Sequence, residues 1–242
     1  MTLLHTTARI LRQLRHDKRT IGLLVVVPTL LLTLLYFMYD NQEMVFDRVA
    51  LIMLGLFPFI IMFLVTSIAM LRERTTGTLE RLLTTPLRRT DLLFGYGIAF
   101  GVAAAIQATI ASALAYWLLD LDTAGSPALV ILIAVTNAVL GVALGLLASA
   151  FAQTEFQAVQ FMPVVALPQI LLCGLFVPRD QMAGWLQAIS DVMPLTYAVE
   201  ALQEVGANVD ATSTMWRDLG VVAGVVVLAL VLASMTLRRR TP

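Results

Sequence analysis

The sequence predicts an all-α polytopic membrane protein, because of its composition, its long uncharged runs and the distribution of its basic residues. Of the 242 residues, 59% are hydrophobic and 13% are charged, and the mean hydropathy is +0.87. Soluble globular domains carry about 25% charged residues. The chain is therefore predicted to form a single membrane domain, 1–242, with no segment large enough to fold as a separate soluble domain.

The uncharged runs predict six transmembrane helices. A helix needs about twenty apolar residues to cross roughly 30 Å of hydrocarbon at ~1.5 Å per residue. The predicted spans are residues 20–39, 49–71, 92–119, 128–151, 156–178 and 219–237.

The basic residues predict the orientation of these spans. An even number of spans puts both termini on one side of the membrane, together with residues 72–91. That side holds all sixteen basic residues except Arg48, Arg179 and Arg217. Because cytoplasmic loops are enriched in Lys and Arg, both termini and residues 72–91 are predicted to be cytoplasmic.

Residues 1–19 have the pattern of an amphipathic helix before the first span. Leu3, Ile10 and Leu14 fall on one helical face, whereas Arg12 falls nearly opposite. This pattern predicts an interfacial helix in the cytoplasmic headgroup layer. The alternative is a basic flank that only sets the topology of the first span.

Residues 179–218, on the outer side, are too polar to span the membrane and too apolar for a plain loop. Met182, Trp185 and Ile189 recur at helical spacing, Pro194 interrupts the pattern, and a second helical run follows. We expect a broken helical hairpin that dips into the outer leaflet. The alternative is a small helical cap on the outer surface.

The predicted spans lack the groups that most ion-coupled carriers use. No Asp, Glu, Lys, Arg or His lies within them, although such groups mark ion pathways in carriers and pumps. The polar residues at depth are Gln107, Asn137, Gln160 and Gln169, for which interhelical hydrogen bonds are favoured over substrate contacts. No catalytic residues and no metal site are predicted, and no G-x-x-x-x-G-K-[ST] loop is present to bind ATP.

Two G-x-x-x-G motifs predict close helix packing. One begins at Gly97 and ends at Gly101, and the other begins at Gly141 and ends at Gly145. Such motifs let two backbones approach each other. The sequence leaves open whether either motif lies within the chain or at a subunit interface.

Spans two and five carry helix-breaking prolines. Such breaks are tolerated at depth where they are buried in protein or line a cavity. The predicted substrate-pathway residues are Gly55, Phe57, Pro58, Phe59, Pro163, Pro168 and Gln169. The alternative is that these prolines are simple structural kinks.

The cytoplasmic segment 72–91 is patterned as a short capped helix. Thr78 is a suitable N-cap for a helix over Leu79–Thr84. The leucines of this helix form one apolar face, and Pro86 ends it, because the residue before a proline avoids the helical region. This face either binds a groove on another protein or lies on the membrane surface.

Two stretches of the sequence resemble a known family. The stretch "RERTTGTLERLLTTPLRRTDLLFG" resembles the cytoplasmic loop of type-2 ABC exporter permeases, in the daunorubicin-resistance-like, multidrug efflux branch. The stretch "GLFVPRDQM", followed by "MPLTYAVEAL", is similar to the region around the fifth span and outer hairpin of these permeases. The resemblance covers nearly the whole chain.

The resemblance implies specific roles for residues of both stretches. The cytoplasmic coupling segment that contacts the ATPase would comprise Glu73, Arg74, Gly77, Thr78, Leu79, Glu80, Arg81, Leu82, Leu83, Thr85 and Pro86. The outer hairpin that gates release would include Pro194, Leu195, Thr196, Tyr197 and Glu200.

The expected function is that of the membrane subunit of an ATP-driven exporter. The resemblance implies two cytoplasmic ATPase subunits that bind ATP and Mg²⁺, so this chain would hold no cofactor and would not be an enzyme by itself. It also implies a second permease copy, as a homodimer or a related heterodimer, in a bacterial inner membrane. Membrane lipids are expected partners and nucleic acid is not.

The charge-free spans favour an amphipathic or lipid-like substrate, such as a drug, a lipid or a glycolipid. The alternative function is a non-transporting membrane scaffold or sensor whose cytoplasmic helix recruits a partner. Secondary carriage driven by an ion gradient is disfavoured by the uncharged spans.

Overall fold

The computed structural model describes residues 3–75 and 89–236, which form nine α-helices and one 3₁₀ turn at Arg179–Gln181. The helices are α1 Leu3–His16, α2 Lys18–Met38, α3 Glu43–Thr75, α4 Arg89–Leu118, α5 Pro127–Ala148, α6 Glu155–Leu172, α7 Gly184–Ser190, α8 Pro194–Ala207 and α9 Ser213–Thr236. Six of them, α2 to α6 and α9, are long and apolar enough to cross a membrane. The all-α class and the six predicted spans are confirmed.

Helix α3 is much longer than the uncharged run 49–71 that predicted it. It has 33 residues, or about 50 Å at ~1.5 Å per residue, against roughly 30 Å of hydrocarbon. Charged residues bound the part of a helix that lies in hydrocarbon, but they do not stop the helix itself. Helix α3 therefore extends beyond the hydrocarbon at its ends, and its last turn carries Arg72 and Arg74.

Helices α3 and α5 form the centre of the structure, and the second glycine motif explains their close contact. A Cβ added at Gly141 would lie 2.3 Å from the carbonyl oxygen of Phe59, and one added at Gly145 would lie 2.5 Å from that of Phe63. Gly141 and Gly145 therefore let the backbones of α5 and α3 touch within one chain. The corresponding contacts of the first motif, made to side chains, are ordinary ones of 3.5 Å and 3.9 Å.

The predicted polar residues at depth have three different environments. Asn137 Nδ2 donates to the carbonyl oxygen of Gly55 at 2.7 Å, and Gln169 Oε1 accepts from the amide of Leu195 at 3.3 Å. These two interhelical hydrogen bonds are as predicted. Gln160 is exposed, and Gln107 is buried with no hydrogen-bond partner for its side chain among the described residues.

Helix α1 packs along α4, on the side predicted to be cytoplasmic. Thr6, Thr7 and Ile10 are buried, and Gly95 of α4 allows Thr6 to approach closely, since an added Cβ there would lie 2.9 Å from Thr6 Cγ2. The predicted N-terminal helix is thus present. Its position in the headgroup layer stays a prediction.

The outer segment contains both helices of the predicted hairpin, and α8 starts at Pro194. Helix α8 lies beside α3, because a Cβ at Gly55 would lie 2.7 Å from Leu202 Cδ1 and one at Gly206 would lie 2.6 Å from Leu51 Cδ2. The Leu51–Gly55 turn lies roughly 12–18 Å along α3 from its outer end. Helix α8 therefore packs against the central helix α3, and the dip of the hairpin into the outer leaflet stays a prediction.

Candidate functional site

Helix α3 leads directly into the predicted coupling segment. The part of that segment from Gly77 to Pro86, with the predicted helix over Leu79–Thr84, lies outside the described residues. The predicted coupling residues in this part are Gly77, Thr78, Leu79, Glu80, Arg81, Leu82, Leu83, Thr85 and Pro86. The structure describes Glu73 and Arg74, the two predicted coupling residues in the last turn of α3. It therefore shows how the segment is attached to the rest of the chain.

The two arginines in the last turn of α3 bind α6 and the end of α5. Arg72 forms a bidentate ion pair with Glu155, from Nε to Oε1 at 2.7 Å and from Nη2 to Oε2 at 3.0 Å. Arg74 Nη1 donates to the carbonyl oxygen of Ser149, just after α5, at 2.8 Å. Bidentate pairs hold both side chains in a defined orientation. The end of α3 is therefore connected to two spans that lie far from it in sequence.

Glu73, between these arginines, connects the same turn to α1 and α4. Its Oε1 lies 3.6 Å from Arg9 Nη2, and the same nitrogen donates to Tyr96 Oη at 3.2 Å. Glu73 is only 8% exposed. With the contacts of Arg72 and Arg74, this places one turn of α3 in polar contact with α1, α4, α6 and the end of α5.

The predicted pathway residues lie on two helices, α3 and α6, which pack against each other. Gly55, Pro58 and Phe59 are buried in α3, where Gly55 and Phe59 face α5 and Phe57 is half-buried. On α6, Pro163 is half-buried and Pro168 is exposed, whereas Gln169 is buried and faces α8.

The exposed face of α6 carries polar groups in the middle of a span. Each proline lacks the N–H that would bond the carbonyl four residues earlier, so Pro163 and Pro168 free the carbonyls of Val159 and Val164. Those two valines are 39% and 68% exposed, and Gln160 is exposed beside them. The same face exposes Phe156, Leu167 and Leu171, so it combines large apolar side chains with a few polar groups.

An ion-pair network joins the parts of the outer hairpin. Arg179, after α6, pairs with Asp191 after α7 and donates from Nη1 to Glu200 Oε2 of α8 at 2.9 Å. Glu200 Oε1 in turn lies 3.8 Å from Arg217 Nη2 on α9. The network therefore connects α6, α7, α8 and α9 through Glu200, one of the predicted gate residues.

Asp218 belongs to this network and was missed by sequence reasoning, which placed it in the outer loop. It lies within α9, is fully buried, and accepts from Arg217 Nε at 2.9 Å. Its position beside the start of the uncharged run 219–237 was the only available signal. The burial depends on the packing of α8 against α9, which a local pattern does not show.

The other predicted gate residues meet at the start of α8, which Pro194 begins. Thr196 is buried, with its Oγ1 3.1 Å from Ser190 Oγ, and Ser190 donates to the carbonyl of Leu172 at 2.9 Å. Tyr197 Oη donates to the carbonyl of Asp191 at 2.7 Å. Together with the Leu195–Gln169 bond, these contacts hold the start of α8 against the end of α6.

Several of the charged side chains that the structure describes form ion pairs. Across residues 3–75 and 89–236, no three His, Cys, Asp or Glu side chains come together in a way that could hold a metal ion.

The sequence matches the ABC-2 type transporter family over residues 2–205. The chain belongs to this family. Its six spans, the polar last turn of α3 and the outer hairpin are therefore features of an ABC-2 type membrane protein, and all but the last part of the chain falls within the match.

This ABC-2 type chain is similar to several permeases. It is 31% identical over 156 residues to the probable multidrug ABC transporter permease YbhR of Escherichia coli, which covers 64% of this chain and 42% of YbhR. It is 29% identical over 138 residues to the linearmycin resistance permease protein LnrN of Bacillus subtilis, covering 57% and 36%. It is 27% identical over 141 residues to ABC transporter G family member 20 of Dictyostelium discoideum, covering 58% and 19%. The matched region thus spans less than half of each relative.

Proposed function

We propose that this chain is the membrane subunit of an ATP-driven exporter. The observation that carries the proposal is the last turn of α3, where three consecutive charged residues contact α1, α4, α6 and the end of α5. This turn leads directly into the coupling segment implied by the family. A force applied to that segment would therefore act on most of the helix bundle.

The energy would come from partner subunits. Two cytoplasmic ATPases would bind ATP and Mg²⁺ and contact the coupling segment, whereas this chain would bind neither. Helix α3, 33 residues long, would carry the movement from the cytoplasmic side towards α8, which packs against its outer half.

The polar groups on the exposed face of α6 support a pathway shared with a second permease copy, in a homodimer or a related heterodimer. Gln160 and the carbonyls freed by Pro163 and Pro168 would face the partner copy or a passing substrate. An amphipathic substrate fits spans that combine apolar surfaces with a few polar groups. The permeases named for multidrug transport and linearmycin resistance are consistent with this substrate class.

The outer hairpin would gate release. The network of Arg179, Asp191 and Glu200 and the bonds of Thr196 and Leu195 hold α7 and α8 against α6 and α9. Release would require these contacts to separate. With both termini cytoplasmic, the hairpin would lie on the outer side of a bacterial inner membrane.

Glu80→Arg in the coupling segment tests the proposal when the chain is co-expressed with its ATPase and reconstituted into vesicles. We expect the variant to lose most ATPase co-purification and ATP-dependent movement of a fluorescent amphiphile. Asp210→Arg makes the same charge change in the exposed outer segment and is expected to behave as wild type. If both variants keep full ATP-dependent movement, the coupling role is wrong.

The alternative function, a non-transporting scaffold or sensor, gives a different result in the same vesicles. A scaffold would still bind its cytoplasmic partner, but ATP would cause no movement of any amphiphile, with or without the substitution.

A further inference from the structure

A groove on the cytoplasmic side has no assigned role in export. It lies between α1, α2, α3 and α4 and has a volume of about 580 Å³. This volume is sufficient for a lipid headgroup with the first part of an acyl chain, because ligand sites commonly measure about 300–1,000 Å³.

The lining of the groove changes from polar to apolar along α3. The cytoplasmic end of the groove is lined by Glu73, Arg9 of α1 and Asp17 at the start of α2. The part nearer the membrane centre is lined by Leu64 and Leu23. Leu64 and Glu73 are nine residues apart, or roughly 13 Å along the helix. Leu23 is 57% exposed, so the apolar end opens towards the surrounding lipid. This order matches a phospholipid of the cytoplasmic leaflet.

Glu73 shows that the polar end is electrostatically incomplete. It is more than nine-tenths buried, and its Oε2 has no hydrogen-bond partner among the described residues. The same carboxylate interacts with Arg9, from Oε1 to Nη2 at 3.6 Å, and with the Tyr96 hydroxyl. A buried carboxylate oxygen without a donor is unfavourable, so Oε2 can accept a further hydrogen bond from a ligand in the groove. A primary ammonium group supplies three donors.

The charges around the groove also define what else the ligand must carry. Two cations, Arg9 and Arg72, and two anions, Asp17 and Glu73, line it, so the formal charge of the lining is zero. A purely anionic headgroup would be repelled by the Glu73 carboxylate, even where its hydroxyl groups can donate hydrogen bonds. A purely cationic one would be repelled by Arg9. A zwitterion satisfies both signs.

We propose that this groove binds one zwitterionic phospholipid with an ethanolamine headgroup, drawn from the cytoplasmic leaflet. The ammonium group faces Glu73 and Asp17, the phosphate faces the Arg9 guanidinium, and an acyl chain follows Leu64 and Leu23 towards the membrane centre. A choline headgroup binds less well, because its quaternary nitrogen has no hydrogen to donate to Glu73. The site is independent of whether the chain exports anything.

Native mass spectrometry of the delipidated full-length chain in detergent tests the proposal. The probes are phosphatidylethanolamine, phosphatidylcholine and phosphatidylglycerol with the same acyl chains. We expect one phosphatidylethanolamine per chain, bound about tenfold more tightly than the other two, as expected for a charge-assisted hydrogen bond. Equal binding of the three lipids, or no binding, would overturn the proposal.

Two pairs of variants locate the binding in the groove. Glu73→Gln is expected to lower the affinity for phosphatidylethanolamine about tenfold, to the level of phosphatidylcholine, whereas Glu43→Gln makes the same charge change at the outer end of α3 and leaves it unchanged. Leu23→Trp fills the mouth of the groove and is expected to abolish binding of all three lipids. Leu228→Trp, at a similarly exposed leucine of α9 (56%), is its control.

Thermal unfolding of each variant separates loss of the site from loss of the fold. If Glu73→Gln does not unfold cooperatively, the tryptophan pair decides the question, because Leu23 is exposed and its replacement crowds no core contact. Wild-type affinity in Leu23→Trp, or equal losses in a variant and its control, would refute the site.

Discussion

The contact between α3 and α5 leads to a sharp prediction at Gly141. In Gly141→Ala, the added Cβ would lie 2.3 Å from the carbonyl oxygen of Phe59, 3.0 Å from its carbonyl carbon and 3.1 Å from its Cα. Ordinary contact begins near 3.4 Å, so the two helices would have to separate by about 1 Å. These neighbours are backbone atoms of a central helix, and they cannot move aside as a flexible side chain would.

The expected destabilisation has two parts. Overpacking of this kind costs typically 1–3 kcal/mol. Separation of the helices would also stretch the hydrogen bond from Asn137 to Gly55, one turn away, now 2.7 Å long, and such a bond contributes roughly 1 kcal/mol. We therefore expect Gly141→Ala to lose about 2–4 kcal/mol of unfolding free energy.

Thermal unfolding of the purified chain in detergent measures this loss against a matched control. Gly224→Ala lies on the exposed face of α9, where an added Cβ meets nothing within 4 Å. It is expected to be neutral or to stabilise the chain by up to ~1 kcal/mol, because Ala favours helix over Gly. Gly101→Ala, with a nearest contact of 3.9 Å, should resemble the control. If Gly141→Ala unfolds at the temperature of Gly224→Ala, α3 and α5 are not in backbone contact.

Two further predictions concern the outer hairpin and the start of α2. Arg179→Gln leaves Asp191 and Glu200 without their shared cation. We expect faster hydrogen exchange in α7 and a loss of about 1 kcal/mol of unfolding free energy, since these side chains are partly exposed. Unchanged exchange would show that the network does not hold the hairpin. Thr20 donates hydrogen bonds that lower the pKa of Asp17 below its ordinary value of 3.8. The stabilisation of α2 by the Asp17 cap is therefore fully present above pH 3.8 and is lost as the pH falls through the lowered pKa. Asp17→Ala should remove this part of the acid dependence of the unfolding temperature, and an identical pH profile in the variant would contradict it.

Local sequence patterns were sufficient to predict the features that a bilayer requires of each segment by itself. A helix that crosses hydrocarbon must satisfy its own backbone and carry apolar side chains, so the six spans followed from runs of uncharged residues. The interruption at Pro194, where α8 begins, could be predicted because a proline acts locally on the backbone. Helix α6, by contrast, continues through Pro163 and Pro168.

Patterns located the candidate sites less completely. The similarity of 72–91 and of the outer stretches to a permease family predicted the coupling segment and the outer hairpin. Within the hairpin, Glu200 and Thr196 lie at the centre of the contacts. Asp218 was missed, and the contacts of Gly55 and Phe59 with α5 were not predicted. These relations depend on which helices pack together, and helical periodicity does not encode a helix's partner.

The sequence by itself determined the class of protein and the number of spans, and it predicted their orientation, because charge and hydropathy act within one segment. The prolines of α3 and α6 did not end their helices. Only the tertiary structure decided that Gly141 and Gly145 join α5 to α3, that Asp218 is buried, and that Glu73 combines with Arg9 and Asp17 at one groove. Each of these depends on contacts between residues far apart in the chain. Such contacts come from the packing of whole helices, which is set by the shape of many side chains together.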